Sequence, residues 1–356
     1  MMPAVASVQF SAMTPRERML AAIAHQPVDR VPTDIWATPE VWSMLQAHVG
    51  AGVDVLDALG IDGFSGVGPR YDGPALPADT DYWGVTTRRV DYGTGAYDEQ
   101  TSFPLAAART IDDLELHAWP QVGWFDWSGL GEAAAKARQR RVLQAGYMAP
   151  FYFHTLLRGQ EQALIDPLDD PAFTHHLLDR ITDTFLSYHR KLFESCRGAI
   201  EVTQVTDDLG SQDAPLISLR TFRTFYRPRM QRLIDLAREF GITVFHHDDG
   251  AIRPFLPDLI EMGIGILNPV QHTCPGMDAA TLKRDYGAKL CFHGAVENQR
   301  ILPFGSPEEV RAEVRRCIDT LAADGTGYIL APCHNLQPVT PLANILAMYE
   351  EAHRRR

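Results

Sequence analysis

The sequence has few cysteines and no paired cysteine motif. Five cysteines occur among 356 residues, and they are scattered without a CxxC arrangement. This usage excludes a disulfide framework and is typical of a reduced, cytoplasmic protein. Residues 1–12 also lack the basic segment and the apolar stretch of a signal peptide, so we expect no export signal there.

Long apolar runs and an excess of basic residues are absent as well. No run approaches the roughly 18 consecutive apolar residues that a membrane span needs. Lys and Arg number 33 against 45 Asp and Glu, which gives a formal net charge of -12. Nucleic acids and anionic membrane surfaces bind clustered cations, so neither is expected as the main partner. The composition instead suits a globular protein with a small-molecule ligand.

What the sequence does contain is a regular alternation of strand-like and helical patterns. The strand-like runs are apolar and short, and they lie at residues 31–36, 61–67, 141–147, 199–206, 242–247, 264–268, 289–293 and 328–332. Eight such strands, each followed by a helix, predict an α/β protein with a (β/α)8 TIM barrel rather than an open doubly wound sheet. No linker or repeat divides the chain, so residues 1–356 are expected to form one domain.

Residues 69–120 interrupt this alternation. They are rich in Pro, Gly, Asp, Tyr and Trp, a composition too aromatic for a disordered segment. The segment predicts an inserted aromatic and Gly-rich excursion, with a hairpin, after the second strand. We expect it to cover one mouth of the barrel.

Reactive residues of a TIM barrel sit at the carboxyl ends of its strands, whatever their separation in sequence. The predicted ends are unusually polar and aromatic. They carry Trp36, Tyr147, Asp207, Asp208, His247, Asp249, Asn268, His293, Glu297, Cys333 and His334. The sequence therefore predicts one polar site at that face of the barrel.

Within this ring, His247, Asp249 and Cys333 are the candidate metal ligands. His247 and Asp249 are two residues apart at a strand end, and Cys333 ends the last strand. Three protein ligands with an open fourth position are typical of catalytic zinc. The alternative is structural, because a buried Cys is often a small hydrophobe and a His-Asp pair is often a hydrogen-bonded loop. The His272 and Cys274 pair is a lesser metal candidate.

Asp207 and Asp208 are the candidate acid and base, with His247 as a third catalytic candidate. One carboxylate can raise the pKa of its neighbour and so favour proton transfer, although an Asp-Asp-Leu-Gly segment also suits an ordinary turn. The expected substrate-binding residues are aromatic or carry hydrogen-bonding side chains, and they are Trp36, Tyr147, Gln212, Asn268 and His293.

Several motifs resemble the uroporphyrinogen decarboxylase superfamily. They are RMLAA at residues 18–22, PVDRVP at residues 27–32, and the segments around His247 and Cys333. The decarboxylase branch of that superfamily continues with an arginine-rich stretch that holds substrate carboxylates. Residues 33–40 read TDIWATPE here, with no arginine and two acids, so decarboxylation of uroporphyrinogen is not expected.

The other branch contains cobalamin-dependent methyltransferases with an HxC zinc motif and a distant Cys. His247, Gly250 and Cys333 match that pattern, whereas Asp249 stands where the middle Cys is usual. A carboxylate ligand makes the metal a harder Lewis acid, better suited to an oxygen substrate. The resemblance thus implies zinc-dependent transfer of a methyl group between a small methoxy-type substrate and a corrinoid, as in O-demethylation.

The resemblance also implies a homodimer, and a corrinoid carried by a partner protein. Two other functions stay open. One is a metal-independent decarboxylase or lyase that acts on a small carboxylic acid through Asp207 and Asp208. The other is a barrel that binds a small molecule without catalysis.

Overall fold

A computed structural model describes residues 12–354 of the chain. The sequence predicts no signal peptide at residues 1–12, and residues 1–11 of that segment lie outside the described residues. Seven parallel strands form the main sheet in the order β1-β6-β7-β8-β9-β10-β11. These strands are β1 (Phe64–Gly66), β6 (Val142–Met148), β7 (Val202–Val205), β8 (Thr243–His247), β9 (Ile266–Asn268), β10 (Cys291–Val296) and β11 (Tyr328–Pro332).

The segment around Thr33 occupies the eighth position between β11 and β1. Thr33 forms a parallel bridge with Leu330. The amide of Asp34 donates to the carbonyl of Leu330 at 2.9 Å, and the amide of Gly63 donates to the carbonyl of Thr33 at 3.0 Å. The predicted strand at residues 31–36 is therefore only a bridge, since Pro32 has no amide proton to donate. The predicted (β/α)8 architecture is confirmed.

The lower half of the barrel is apolar and closed by the first helix. Its filling consists of inward-facing side chains from six strands, namely Val142, Val202, Phe245, Ile266, Cys291 and Ile329. Met19 and Ala22 of α1 (Pro15–Ile23) pack against them from below. Thr14 and Glu17 form a capping box that starts this helix. Because the base is filled, the free space of the barrel lies at the carboxyl ends of the strands.

The remaining helices surround the sheet. They are α2 (Pro39–Val49), α3 (Val55–Ala58), α4 (Ile111–Glu115), α5 (Leu130–Ala137), α6 (Pro150–Arg158), α7 (Gln160–Asp169), α8 (Pro171–Ser195), α9 (Leu219–Thr221), α10 (Arg227–Glu239), α11 (Leu256–Met262), α12 (Ala279–Tyr286), α13 (Ile301–Phe304), α14 (Pro307–Leu321) and α15 (Leu342–Arg354). A π-helical stretch, Phe222–Tyr226, precedes α10. Among the described helices, none has both the length and the apolar character needed to cross a bilayer.

The excursion follows β1, which is the second of the eight predicted strands. As predicted, it contains an antiparallel hairpin. Its strands are β3 (Thr86–Asp91) and β4 (Ala96–Ser102), and a smaller pair joins β2 (Arg70–Tyr71) to β5 (Phe125–Asp126). Trp83 anchors the excursion, because its ring lies 4.7 Å from that of Phe153 and 5.4 Å from that of Phe185. These contacts fasten the excursion to α6 and α8.

Candidate functional site

Three side chains at the mouth of the barrel converge on one point. His247 is the last residue of β8, Asp249 follows it by two positions, and His334 lies two residues beyond β11. One ligand atom from each of the three lies within 4.8 Å of the others. Nε2 of His247 and Nε2 of His334 are each 3.6 Å from Oδ2 of Asp249. Two imidazoles and a carboxylate in this arrangement can hold a divalent metal ion with an open coordination position.

A chain of hydrogen bonds fixes the orientation of His247. Its Nδ1 donates to Oδ1 of Asn268 at 2.5 Å, and Nδ2 of Asn268 donates to Nδ1 of His293 at 2.6 Å. Nε2 of His293 in turn donates to Oδ2 of Asp34 at 2.9 Å. Because Nδ1 is held by Asn268, Nε2 is the nitrogen of His247 that faces Asp249. This orientation is the one that a metal-binding imidazole requires.

Trp36 forms an apolar wall beside the same group. Its ring centroid lies 5.2 Å from that of His247 and 6.3 Å from that of His334. Partial burial lowers the pKa of His334, although the charge of Asp249 opposes this effect. The net lowering of the pKa favours the neutral imidazole of His334, which is the form that can bind a metal ion.

Cys333 lies next to this group but outside it. The side chain is buried, and its Sγ is 3.9 Å from the carbonyl oxygen of Val270. Burial raises the pKa of the thiol well above its usual range, and the charge of Asp249 acts in the same direction. The geometry therefore brings together His247 and Asp249, as the sequence predicts, with His334 rather than Cys333 as their nearest third partner.

The two candidate acids occupy different surroundings. Asp207 is buried, and its carboxylate accepts the amide protons of Phe151 at 3.1 Å and Tyr152 at 2.8 Å, in the first turn of α6. Burial raises the pKa of Asp207 well above its usual range despite these two hydrogen bonds. Asp207 thus fastens α6 to the end of β7.

Asp208 is half-buried and borders an open cavity of about 470 Å³ between the hairpin and α6. Burial raises the pKa of its carboxyl group, while the nearby His247 lowers it and Asp249 raises it. Asp208 is therefore the member of the pair that a substrate can reach.

A second cavity, of about 360 Å³, opens beside the group of His247, Asp249 and His334. Its wall contains Asp249, Cys333 and His334 together with an unusual number of primary amides, which are Gln212, Gln271, Asn298, Gln299 and Gln337. No Lys or Arg lines this cavity or the one beside Asp208 within the part of the chain that the structure describes. The mouth consequently suits a neutral ligand better than a polyanion.

The other predicted substrate-binding residues are dispersed. Gln212 borders the second cavity, whereas Tyr147 lines a separate aromatic cavity beside β6. Asn268 and His293 are buried in the hydrogen-bond chain behind His247. The alternative pair of His272 and Cys274 does not belong to a cluster of three potential metal ligands within residues 12–354, and His272 instead contacts Glu313 at 3.0 Å.

Two members of the site are not predicted as such from the sequence. His334 is predicted only as a residue at a strand end, although its position beside Cys333 is a usable signal. Asp34 carries no local signal, because its partner His293 is 259 residues away. Only the closed barrel brings these two side chains together.

Comparisons with known proteins agree with this fold. The uroporphyrinogen decarboxylase (URO-D) family model matches residues 128–355. Methylcobamide:CoM methyltransferase MtaA of Methanosarcina barkeri is 29% identical over 171 residues, which are 48% of this chain and 46% of that protein. A uroporphyrinogen decarboxylase of Syntrophotalea carbinolica is 28% identical over 185 residues, which are 52% of this chain and 49% of that protein.

The chain thus spans about half the length of the curated relatives it matches. A solved structure, a methyltransferase from Methanosarcina mazei, superposes with a TM-score of 0.65 at 20% identity, and it covers 96% of this chain and 99% of that one. This likeness shows the fold. Relatives of both names are similar at nearly the same identity, so the residues of the site have to separate the two activities.

Proposed function

The chain belongs to the uroporphyrinogen decarboxylase family, and we propose that it is a metal-dependent methyltransferase within it. The reaction would move a methyl group between a small methoxy-type substrate and a corrinoid carried by a partner protein. The observation that carries this proposal is the group of His247, Asp249 and His334, whose ligand atoms lie within 4.8 Å of one another at the open end of the barrel. The methyltransferase relatives support it.

The donor set of two nitrogens and one oxygen fits Zn²⁺, which would supply Lewis acidity at the oxygen of the methoxy group. His247, Asp249 and His334 would hold the ion, and Cys333 remains the other candidate third ligand. Two imidazoles and a carboxylate also suit ferrous iron, so the metal content of the protein is a decisive measurement.

The side chains around this group have separate tasks in the proposed reaction. When the carbon–oxygen bond breaks, the oxygen keeps the bonding electron pair and needs a proton. The half-buried Asp208 is the carboxyl group suited to donate it, because its raised pKa favours the protonated form. Trp36 packs beside His247 and keeps water from that side of the site. The amides of the mouth would bind polar, uncharged groups.

The same cavities argue against decarboxylation of a tetrapyrrole. Such a substrate carries many carboxylates. Burying a carboxylate without a partner cation costs about 3–5 kcal/mol, which is the typical cost of breaking a buried ion pair. No Lys or Arg lines either mouth cavity among residues 12–354. A metal-independent lyase acting through Asp208 remains the second candidate, and its activity would survive chelation.

The experiment combines metal analysis with a methyl-transfer assay. Purified protein, loaded with metal and desalted, should retain about one equivalent of zinc or another transition metal. Adding a panel of methyl ethers with reduced cobalamin should change the cobalamin absorption spectrum, and chelation should abolish that change. Well under one equivalent of metal would overturn the metal site. No spectral change across the panel, with metal bound, would overturn methyl transfer from ethers.

A further inference from the structure

A third cavity lies beside β6, between the barrel, the excursion and α8. Its volume is about 400 Å³, within the range of ligand pockets. Seven aromatic side chains line it, namely Tyr82, Trp83, Phe125, Tyr147, Phe153, Phe185 and Tyr188. No Asp, Glu, Lys or Arg lines it within the described chain. This lining suits an uncharged, flat and largely apolar ligand.

An irregularity of β6 opens the space. The register between β6 and β7 shifts between Gln144 and Tyr147. Gly146, in the left-handed region with φ 98°, lets α8 approach, because a Cβ there would lie 2.7 Å from Cδ2 of His189. Nε2 of His189 accepts the amide proton of Tyr147 at 3.1 Å. Tyr147 is thereby fixed with its ring on the cavity wall, and 42% of the residue remains exposed.

The wall also contains polar side chains without charge. Gln144 and Gln204 line the cavity from the barrel side, and Nε2 of Gln144 is buried with no hydrogen-bond partner among the described residues. An unpaired buried amide is unfavourable, because it has lost its hydrogen bonds to water without replacement. A ligand with a second oxygen acceptor beside Gln144 would remove that penalty, which favours a hydroxyl substituent on the ring opposite the methoxy group.

None of His247, Asp249 and His334 lines the cavity, but its wall on the barrel side lies close to the end of β8. Gln204 on its wall is in register with Phe245 of β8, and His247 follows two residues later on the same strand. One interstrand spacing and two residues of strand rise separate the backbones of Gln204 and His247 by about 8 Å. One aromatic ring with a methoxy substituent spans a comparable distance.

We propose that this cavity, defined by the seven aromatic side chains and Gln144, binds the ring of an uncharged aryl methyl ether. The inference rests on the proposed function, because it names the class of methyl donor for that same site. The ring stacks among the aromatic side chains, and the methoxy group extends toward His247. An anionic arene is rejected, since its carboxylate would be buried without a cation.

The test measures binding separately from methyl transfer. Anisole and 4-methoxybenzoate are titrated into the full chain by calorimetry, with and without metal. Anisole should bind saturably in both states, and 4-methoxybenzoate should bind at least about tenfold more weakly, a difference of about 1.4 kcal/mol. Equal affinity for the two probes, or no saturable binding of anisole, would overturn the proposal.

Two glycine variants locate the binding. Gly66→Leu fills the cavity, and the new Cβ meets nothing closer than the carbonyl oxygen of Gln144 at 3.8 Å. Gly68→Leu is the matched control, because no atom lies within 4 Å of its Cβ and it does not line the cavity. Gly66→Leu should lower anisole affinity at least about tenfold, and Gly68→Leu should leave it unchanged.

The outcomes separate the two proposals. If Gly66→Leu abolishes the binding of anisole, the aromatic cavity is supported. If no methyl transfer occurs in the same protein, the proposed function is contradicted. If the protein transfers methyl groups from aliphatic ethers, at a rate that Gly66→Leu does not lower, the proposed function is supported. If anisole does not bind to that same protein, the aromatic donor is contradicted. Melting temperatures of both variants show whether either substitution disturbs the fold. Should Gly66→Leu unfold, Gln144→Leu replaces it, and it should lower the affinity for 4-methoxyphenol, whose hydroxyl group reaches Gln144, but not for anisole.

Discussion

Nδ1 of His247 and Oδ1 of Asn268 lie 2.5 Å apart, and this contact joins the end of β8 to the end of β9. Asn268 has no freedom to turn away, because its amide nitrogen is also bonded to the buried His293. The contact therefore decides which nitrogen of His247 faces Asp249.

Asn268→Ala should weaken metal binding without removing a ligand. Loss of the hydrogen bond frees the ring of His247 to rotate, and substitutions of this kind typically cost about 10- to 100-fold in metal affinity. Competition against a chromophoric chelator measures the affinity. Asn268→Asp, which keeps an acceptor for His247, should lose less. Asn298→Ala in the mouth serves as the control, and an equal loss there would refute the orienting role.

His334→Ala and Cys333→Ser distinguish the two candidate third ligands. His334→Ala should leave less than a tenth of the metal bound after desalting, whereas Cys333→Ser should retain nearly all of it, because Sγ of Cys333 is directed at Val270. Elemental analysis of both variants in parallel provides the measurement. The reverse pattern would show that the ligand expected from the sequence is the correct one.

Metal removal should lower the thermal stability of the wild-type protein. A ligand present at one hundred times its Kd stabilises the folded state by about 2.7 kcal/mol. Differential scanning calorimetry with and without chelator should therefore show a drop of a few degrees in Tm. In His247→Ala the chelator should have no effect. A similar drop in that variant would mean that the metal binds elsewhere.

Asp208→Asn should slow methyl transfer while the metal remains bound. Removing a general acid typically lowers kcat by about 10²- to 10⁴-fold. Asp213→Asn, an exposed change in the same loop, is the control and should retain full activity. Single-turnover spectra of cobalamin give the rate. An unchanged rate in Asp208→Asn would remove this residue from the mechanism.

Glu313→Gln should reduce the acid sensitivity of folding. Burial alone would raise the pKa of Glu313, but hydrogen bonds from His272 and Arg316 outweigh it and lower the pKa from 4.5 to about 2. A lowered pKa gives stability that is present above pH 4.5 and is lost as the pH falls toward 2. Urea unfolding at several pH values should show a shallower acid dependence in the variant.

Glu308→Gln, an exposed change on the same helix α14, should leave the acid dependence of unfolding close to that of the wild type. Equal slopes for the Glu313 variant and the wild type would show that the Glu313 interactions do not survive in solution.

The barrel could be predicted from the sequence because its signals are local. Apolar runs such as the one ending at His247 recur at the spacing of βα units, and the Thr14 to Glu17 capping box is readable within four residues. The first strand was overestimated, because Pro32 limits its hydrogen bonds and leaves a single bridge at Thr33. Seven of the eight predicted strands form the main parallel sheet.

Only part of the candidate site could be predicted from the sequence. The positions of His247 and Asp249 can be predicted, because the apolar run of β8 stops at the histidines and so marks the end of the strand. The sequence does not show which of the adjacent residues Cys333 and His334 faces the site. The chain leaves β11 there, so the alternation of side chains along a strand no longer fixes the direction in which each side chain points. The aromatic cavity also had no sequence signal beyond the composition of residues 69–120.

By itself, the sequence determined the parallel barrel, the polar face at its carboxyl ends and the position of the excursion, because each follows from local periodicity. The tertiary structure decided which atoms meet. It turned Cys333 toward Val270 and His334 toward Asp249. It also linked His247 through Asn268 and His293 to Asp34, a partner that only closure of the barrel brings within 2.9 Å of His293.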